Sequence, residues 1–229
     1  MIDHRLSIIL GDEMDLTSIE TVSKRDQVVE RLRKAITSGA LVPGEQVVES
    51  RIAKQLGVSQ APVREALALL ERQGLVVKIH HRGTFVSRLH GRELRELFSL
   101  RAVLDAFSAR LAAEHANDKD IGELREILAR MKTAEDAKDL SRLTDAHIEL
   151  HETIYRLSGN QLLMDIFSLI HPRMVFALAF AENLFSSEGR ETECHIPLIE
   201  ALEKHDGAKA EKIARELATG WIDQVMIEK

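Results

Sequence analysis

The run Leu56-Gly57-Val58-Ser59-Gln60-Ala61-Pro62-Val63-Arg64-Glu65-Ala66-Leu67 contains a helix end, a turn and a helix start. Gly57 stops a short helix whose inner face is Ile52, Ala53 and Leu56. Ser59 suits the N-cap of the next helix, because its hydroxyl can accept an orphan N–H of the first turn. Pro62 falls within that turn, where a missing N–H costs little. Val63, Ala66, Leu67 and Leu70 then recur at helical spacing, and Gly74 closes the helix. Two short helices across a tight turn form a helix-turn-helix.

Working outward, Val28, Val29, Leu32 and Ile36 predict a helix from Lys24 that Gly39 and Pro43-Gly44 terminate. Beyond Gly74 the period changes. Leu75 to Ile79 and Thr84 to Ser87 are β-prone runs, joined by His80-His81-Arg82-Gly83 as a hairpin with a basic tip. Three helices and a hairpin make a winged helix-turn-helix over residues 24–88. Residues 1–23 lack periodicity and read as an arm, and 89–91 as a linker. From residue 92 to 229 the pattern is helical, with helices at about 92–116, 119–138, 140–158, 160–184, 190–205 and 207–227. Pro172 is expected to kink its helix or shift its start. The expected fold is mainly α, an N-terminal winged helix-turn-helix plus a C-terminal all-α helical bundle.

The 229 residues are 45% hydrophobic and 30% charged, which suits one large domain or two modest ones. No apolar run approaches the roughly 18 residues of a membrane-spanning helix. Met1 to Leu10 has too short an apolar stretch, and no small-residue cleavage site, for a secretory signal. One cysteine, Cys194, excludes an internal disulfide and a cysteine-based zinc finger, and a reducing cytoplasm is expected. The net charge of −6 is uneven: −4 in residues 1–23, +6 in 24–90 and −8 in 91–229. A basic segment beside an acidic one predicts two domains, the first facing a polyanion.

Gly39-Ala40-Leu41-Val42-Pro43-Gly44, then Leu56 to Leu67, then Gly74-Leu75-Val76 and Arg82-Gly83-Thr84-Phe85-Val86 follow in order and resemble the GntR family of bacterial transcription regulators. The remainder resembles the FadR-type ligand-binding domain, on His151 followed by Ser158-Gly159-Asn160 and on His195 before Ile199-Glu200-Ala201. The resemblance implies a cytoplasmic homodimer, a repressor on this reading. It would hold a palindromic double-stranded DNA operator and sense a small carboxylate in the helical effector-binding and dimerisation domain.

In such a unit the first turn of the second helix, here Ser59, Gln60, Ala61 and Arg64, reaches base edges in the major groove. Arg64 can take guanine bidentately or pin a phosphate, and Gln60 can pair with adenine. Family members usually carry Arg where Gln60 stands, so the half-site stays open. Arg51 and Ser50 are candidate phosphate contacts. His80, His81 and Arg82 suit the minor groove, with Gly83 allowing close approach.

His147 and His151 are four apart, so on a helix they share a face at about 6 Å, the spacing of two metal ligands. The resemblance implies more. Metal-binding FadR-type domains carry Asp, His four residues later, then two His separated by 22. Here His147 stands for the Asp, His151 and His195 are the middle ligands, and Leu217 takes the last place. Three imidazoles suit Zn²⁺ or Ni²⁺, with open positions for water or a carboxylate. Asp145 and His171 are reserve ligands. Glu149 lies about 200° round the helix from both histidines, unlike the glutamate of H-E-x-x-H proteases, which weighs against a hydrolase. No glycine-rich phosphate loop or nucleophile elbow occurs. Arg101 and Arg173 are candidates for the effector carboxylate, with Arg110 third. Phe107, Phe167, Phe176, Phe180 and Trp221 read as core, part of it lining the effector cavity. Two rival readings are a metal-dependent enzyme with a vestigial DNA module and a DNA-binding dimer without an effector.

Overall fold

A computed structural model of the chain describes residues 23–89, 91–180 and 191–226; all but Ser23 of the expected arm over residues 1–23, and one end of each of three expected helices, lie outside them. Helix α1 (Lys24–Thr37) starts where the Ser23 hydroxyl accepts from the Asp26 amide, and it buries Val28, Val29, Leu32 and Ile36. Helix α2 (Glu49–Leu56) ends at Gly57, whose φ of 66° is a left-handed conformation that favours glycine. Helix α3 (Gln60–Arg72) packs on α1 through Val63, Ala66, Leu67 and Leu70. Ser59 occupies the N-cap position in extended conformation, but its hydroxyl makes no capping bond, contrary to expectation.

Strands β2 (Val76–Ile79) and β3 (Gly83–Val86) form the expected hairpin, with Val76 opposite Val86 and Ile79 opposite Gly83. A third strand, β1 (Gln46–Val47), pairs antiparallel with β3, so the sheet order is β1-β3-β2. Two residues carry no readable period, which is why pattern alone misses β1. At the hairpin tip His81 has φ 58° and Gly83 φ 105°. A Cβ on Gly83 would come 2.9 Å from the Gln46 amide nitrogen, which itself donates to the Arg82 carbonyl.

The second part consists of α4 (Gly91–His115), α5 (Asp118–Asp136), α6 (Leu140–Leu157), α7 (Gln161–Phe180), α8 (Glu191–Glu203) and α9 (Gly207–Met226). Asn117 closes a capping box with Asp120, and Asp139 caps α6, so two of the expected breaks are also helix starts. Helix α4 packs most extensively on α9, and Ala109, Ala112, Ala113, Ala210 and Ala214 in their shared core let the helices approach closely. Leu124, Ile127 and Met131 of α5, Leu150 and Ile154 of α6, and Leu198, Ile199 and Leu202 of α8 complete that core. Helix α7 begins at Gln161 and continues through Pro172 rather than starting there, and Pro197 likewise lies inside α8. Among the described residues no helix is long and apolar enough to cross a membrane.

The two parts share a packing contact. Phe176 of α7 is 1% exposed and sits in the cluster formed by Val28, Leu32, Leu70 and Val76. Beside it the Arg173 side chain lies so close to Gly74 that a Cβ there would stand 2.9 Å from Arg173 Cδ. Phe176→Ala should therefore destabilise the winged unit by about 3–5 kcal/mol, the usual loss for a fully buried phenylalanine. Hydrogen exchange should show it as faster opening of α1 and α3. Unchanged protection there would mean that Phe176 is dispensable to that core.

Candidate functional site

The residues expected to meet DNA all reach the surface. Arg51, Ser59, Gln60, Ala61, Arg64, His80, His81, Arg82 and Gly83 are each exposed. Val63 and Leu67 anchor α3 from below, so its first turn stands outward. Arg64 Nε lies 3.2 Å from Glu49 on α2, and Arg51 pairs with Glu45 at 3.2 Å. Such exposed pairs contribute little stability and exchange readily for phosphate.

The second constellation is buried. His147 and His151 of α6 and His195 of α8 are 3%, 7% and 2% exposed. One donor atom from each lies within 4.8 Å of the others, so the group can hold a metal ion. His195 Nδ1 lies 2.7 Å from the Glu191 carbonyl, a bond that makes Nδ1–H the donor and leaves Nε2 its lone pair. Arg101 of α4 donates to His151 Nε2 at 2.8 Å and pairs through Nε with Asp105 at 2.9 Å. The Tyr155 hydroxyl donates to the other Asp105 oxygen at 2.7 Å. Tyr155 packs against Phe167, which stacks on His171 with ring centroids 4.5 Å apart.

Asp105 and Tyr155 escape pattern reading, yet signals for both exist. Asp105 follows Arg101 by four residues, and Tyr155 continues the four-residue spacing of His147 and His151 on one helix face. Other expectations are redistributed. Arg173 is not at the histidines but against Gly74, with Glu93 at 3.7 Å. Arg110 makes exposed pairs with Glu114 and Glu211. Asp145 is exposed, and Glu149 turns away to Arg130 at 2.6 Å. Phe107 is 45% exposed rather than core, Phe167 and Phe176 are buried, and the side chains of Phe180 and Trp221 lie outside the described residues.

Residues 24–86 match the family described as bacterial regulatory proteins, gntR family, and residues 96–219 match the FCD domain. A protein of Paenarthrobacter nicotinovorans named "Probable D-xylose utilization operon transcriptional repressor" is 32% identical over 200 residues, 86% of this chain and 88% of that one. The gluconate operon transcriptional repressor of Bacillus licheniformis is 28% identical over 143 residues, 62% of this chain and 58% of that one. The solved structure of E. coli McbR/YncC has a TM-score of 0.76 at 23% identity, covering 91% of this chain and 99% of its own, a likeness of fold.

Burial disfavours charge on every histidine of the cluster. It holds His147 and His151 well below the ordinary imidazole range, Arg101 adding to the effect, and it lowers His195 as well. His171 is pushed down to about 3 by burial and by the charges of Arg101 and Arg33. In the unfolded chain each titrates near 6.5. Below that pH the unfolded chain takes up protons that the native fold refuses, so stability falls as pH drops through about 6.5. The slope is about 1.4 kcal/mol per pH unit for each such histidine. Urea unfolding in chelator should accordingly show a lower midpoint at about pH 5 than at about pH 7.5. Equal midpoints would mean that these imidazoles protonate freely in the native state.

Proposed function

The chain belongs to the GntR family of bacterial regulatory proteins and is a DNA-binding transcription regulator, and on that premise we propose how it works. It is a cytoplasmic homodimeric repressor in which the unit over residues 24–88 grips a palindromic operator, and the unit over 92–229, after a linker at 89–91, releases it on binding a small carboxylate. The observation that carries the sensing half is the burial of His147, His151 and His195 beside Arg101. Three neutral imidazoles, one of them oriented from behind by the Glu191 carbonyl, are the donor set of a Zn²⁺ or Ni²⁺ site. When bound, the ion would supply a Lewis-acidic position for a ligand carboxylate.

Arg101 donates to a lone pair that coordination through all three imidazoles would need. It must therefore turn to another acceptor, either Asp105 or the effector carboxylate, for which its planar fork is suited. Release of DNA requires the effector to favour one of two arrangements. Helix α7 is suited to transmit that preference, since it carries His171 near the cluster, Arg173 against Gly74 and Phe176 in the DNA-binding core.

Dimerisation is supported by an apolar stripe on α4, where Leu100, Val103 and Phe107 are all about half exposed, with exposed Leu162 and Leu169 on neighbouring α7. A second copy would cover this face and double the base contacts on a palindrome.

Arg64→Ala should weaken operator binding by about 1–3 kcal/mol, and Gln60→Arg should change the selected half-site while sparing salt-sensitive, non-specific affinity. Mobility shifts and binding-site selection measure these; unchanged specificity in both variants would refute the placement of α3 in the groove. Elemental analysis after purification with added Zn²⁺ should find about one equivalent in the wild type and almost none in His151→Ala, which loses the central ligand. A metal content below about a tenth of an equivalent in the wild type would refute the metal half.

A further inference from the structure

Among the described residues, five buried side-chain nitrogen or oxygen atoms lack a hydrogen-bond partner. Three of them, Glu135 Oε2, Glu191 Oε2 and Thr192 Oγ1, fall together where the end of α5 meets the first turn of α8. The Thr192 amide lies 3.4 Å from Glu135 Oε1, and Glu135 is close enough to Glu191 to repel its charge. Neither Thr192, at 4% exposed, nor the Glu135 side chain, at 6%, reaches bulk water. Buried carboxylates normally have a counter-charge, and buried hydroxyls a partner. Lys132 supplies one positive charge for three carboxylates: its ammonium pairs with Asp136 at 2.8 Å and reaches Glu135 Oε2 only at 3.7 Å, beyond hydrogen-bond distance.

We propose that Glu135, Glu191 and Thr192 form a second cation site, for a hard divalent ion of the magnesium, calcium or manganese class, distinct from the three histidines. The donor chemistry selects the class. A softer set is also near, since Glu191, Cys194 and His195 bring donor atoms within 4.8 Å of one another. The Cys194 thiol, however, donates to the Glu191 carbonyl at 3.1 Å, and His195 Nδ1 meets the same oxygen. The donors left are oxygens, which suit hard ions, and two carboxylates balance a divalent charge. Because the Glu191 carbonyl also orients His195, this site and the histidine cluster share the first turn of α8.

The test is a Mn²⁺ titration of the full chain loaded beforehand with one equivalent of Zn²⁺ and freed of unbound zinc, followed by electron paramagnetic resonance of free Mn²⁺. Zinc outcompetes manganese at imidazoles, so bound Mn²⁺ reports the oxygen site, while zinc content in the same samples reports the histidines independently. One bound equivalent is expected, with affinity at least about tenfold weaker in Glu135→Gln/Glu191→Gln and also reduced in Thr192→Val. The double variant should fold, because it keeps the shape and removes a repulsion; its metal-free melting temperature should rise while the Mn²⁺-induced increase disappears. Absence of Mn²⁺ binding in the wild type, or equal binding in the double variant, overturns the proposal whatever the zinc result.

Discussion

The buried ion pair of Arg101 and Asp105 is the constraint around which the helical part is arranged. Both residues are less than 5% exposed, and a pair so far from water is tolerable only if its remaining donors and acceptors are satisfied. Each group meets that need with a residue of α6: the guanidinium takes His151, and the carboxylate takes Tyr155. The aromatic rings of Phe167 and His171 extend the arrangement to α7, and His195 brings in α8. Removing one partner would leave a charge without compensation, so α4, α6, α7 and α8 are held in one register by electrostatics as much as by shape.

The charge of Arg101 also bears on the protonation of its surroundings. Burial keeps the imidazoles neutral and the nearby guanidinium charge adds to that effect, and neutral imidazoles are what both metal coordination and hydrogen bonding to Arg101 require. At the other end of the molecule the chemistry reverses. The first turn of α3 and the hairpin tip are exposed, Arg64 lies in a weak pair, and the surplus positive charge of residues 24–90 stays available to a polyanion.

Much of this was readable from residue order, for reasons that differ from place to place. Gly57, Ser59 and Pro62 mark the turn between α2 and α3 because backbone geometry restricts which residues fit there. His147 and His151 announce a shared face through spacing alone. Partnership across helices is harder. That His195 joins them came only from family likeness, and that Arg173 meets Gly74 depends on how α7 packs against the winged unit, which no local period encodes. The capping role of Ser59 failed for a subtler reason. The residue type and backbone conformation were right, but the hydroxyl makes no capping bond, and whether a side chain closes such a bond is invisible to sequence pattern.

Phe176 bears on how such proteins can be recombined. Regulators built from a DNA-binding part and a sensing part are usually pictured as exchangeable modules cut at the linker. Here one aromatic ring of the sensing part completes the interior of the other, so a cut near residue 90 separates the chain cleanly but not the core. A transplanted sensing domain would have to bring a side chain of matching volume at that place, or leave its new host with a hole.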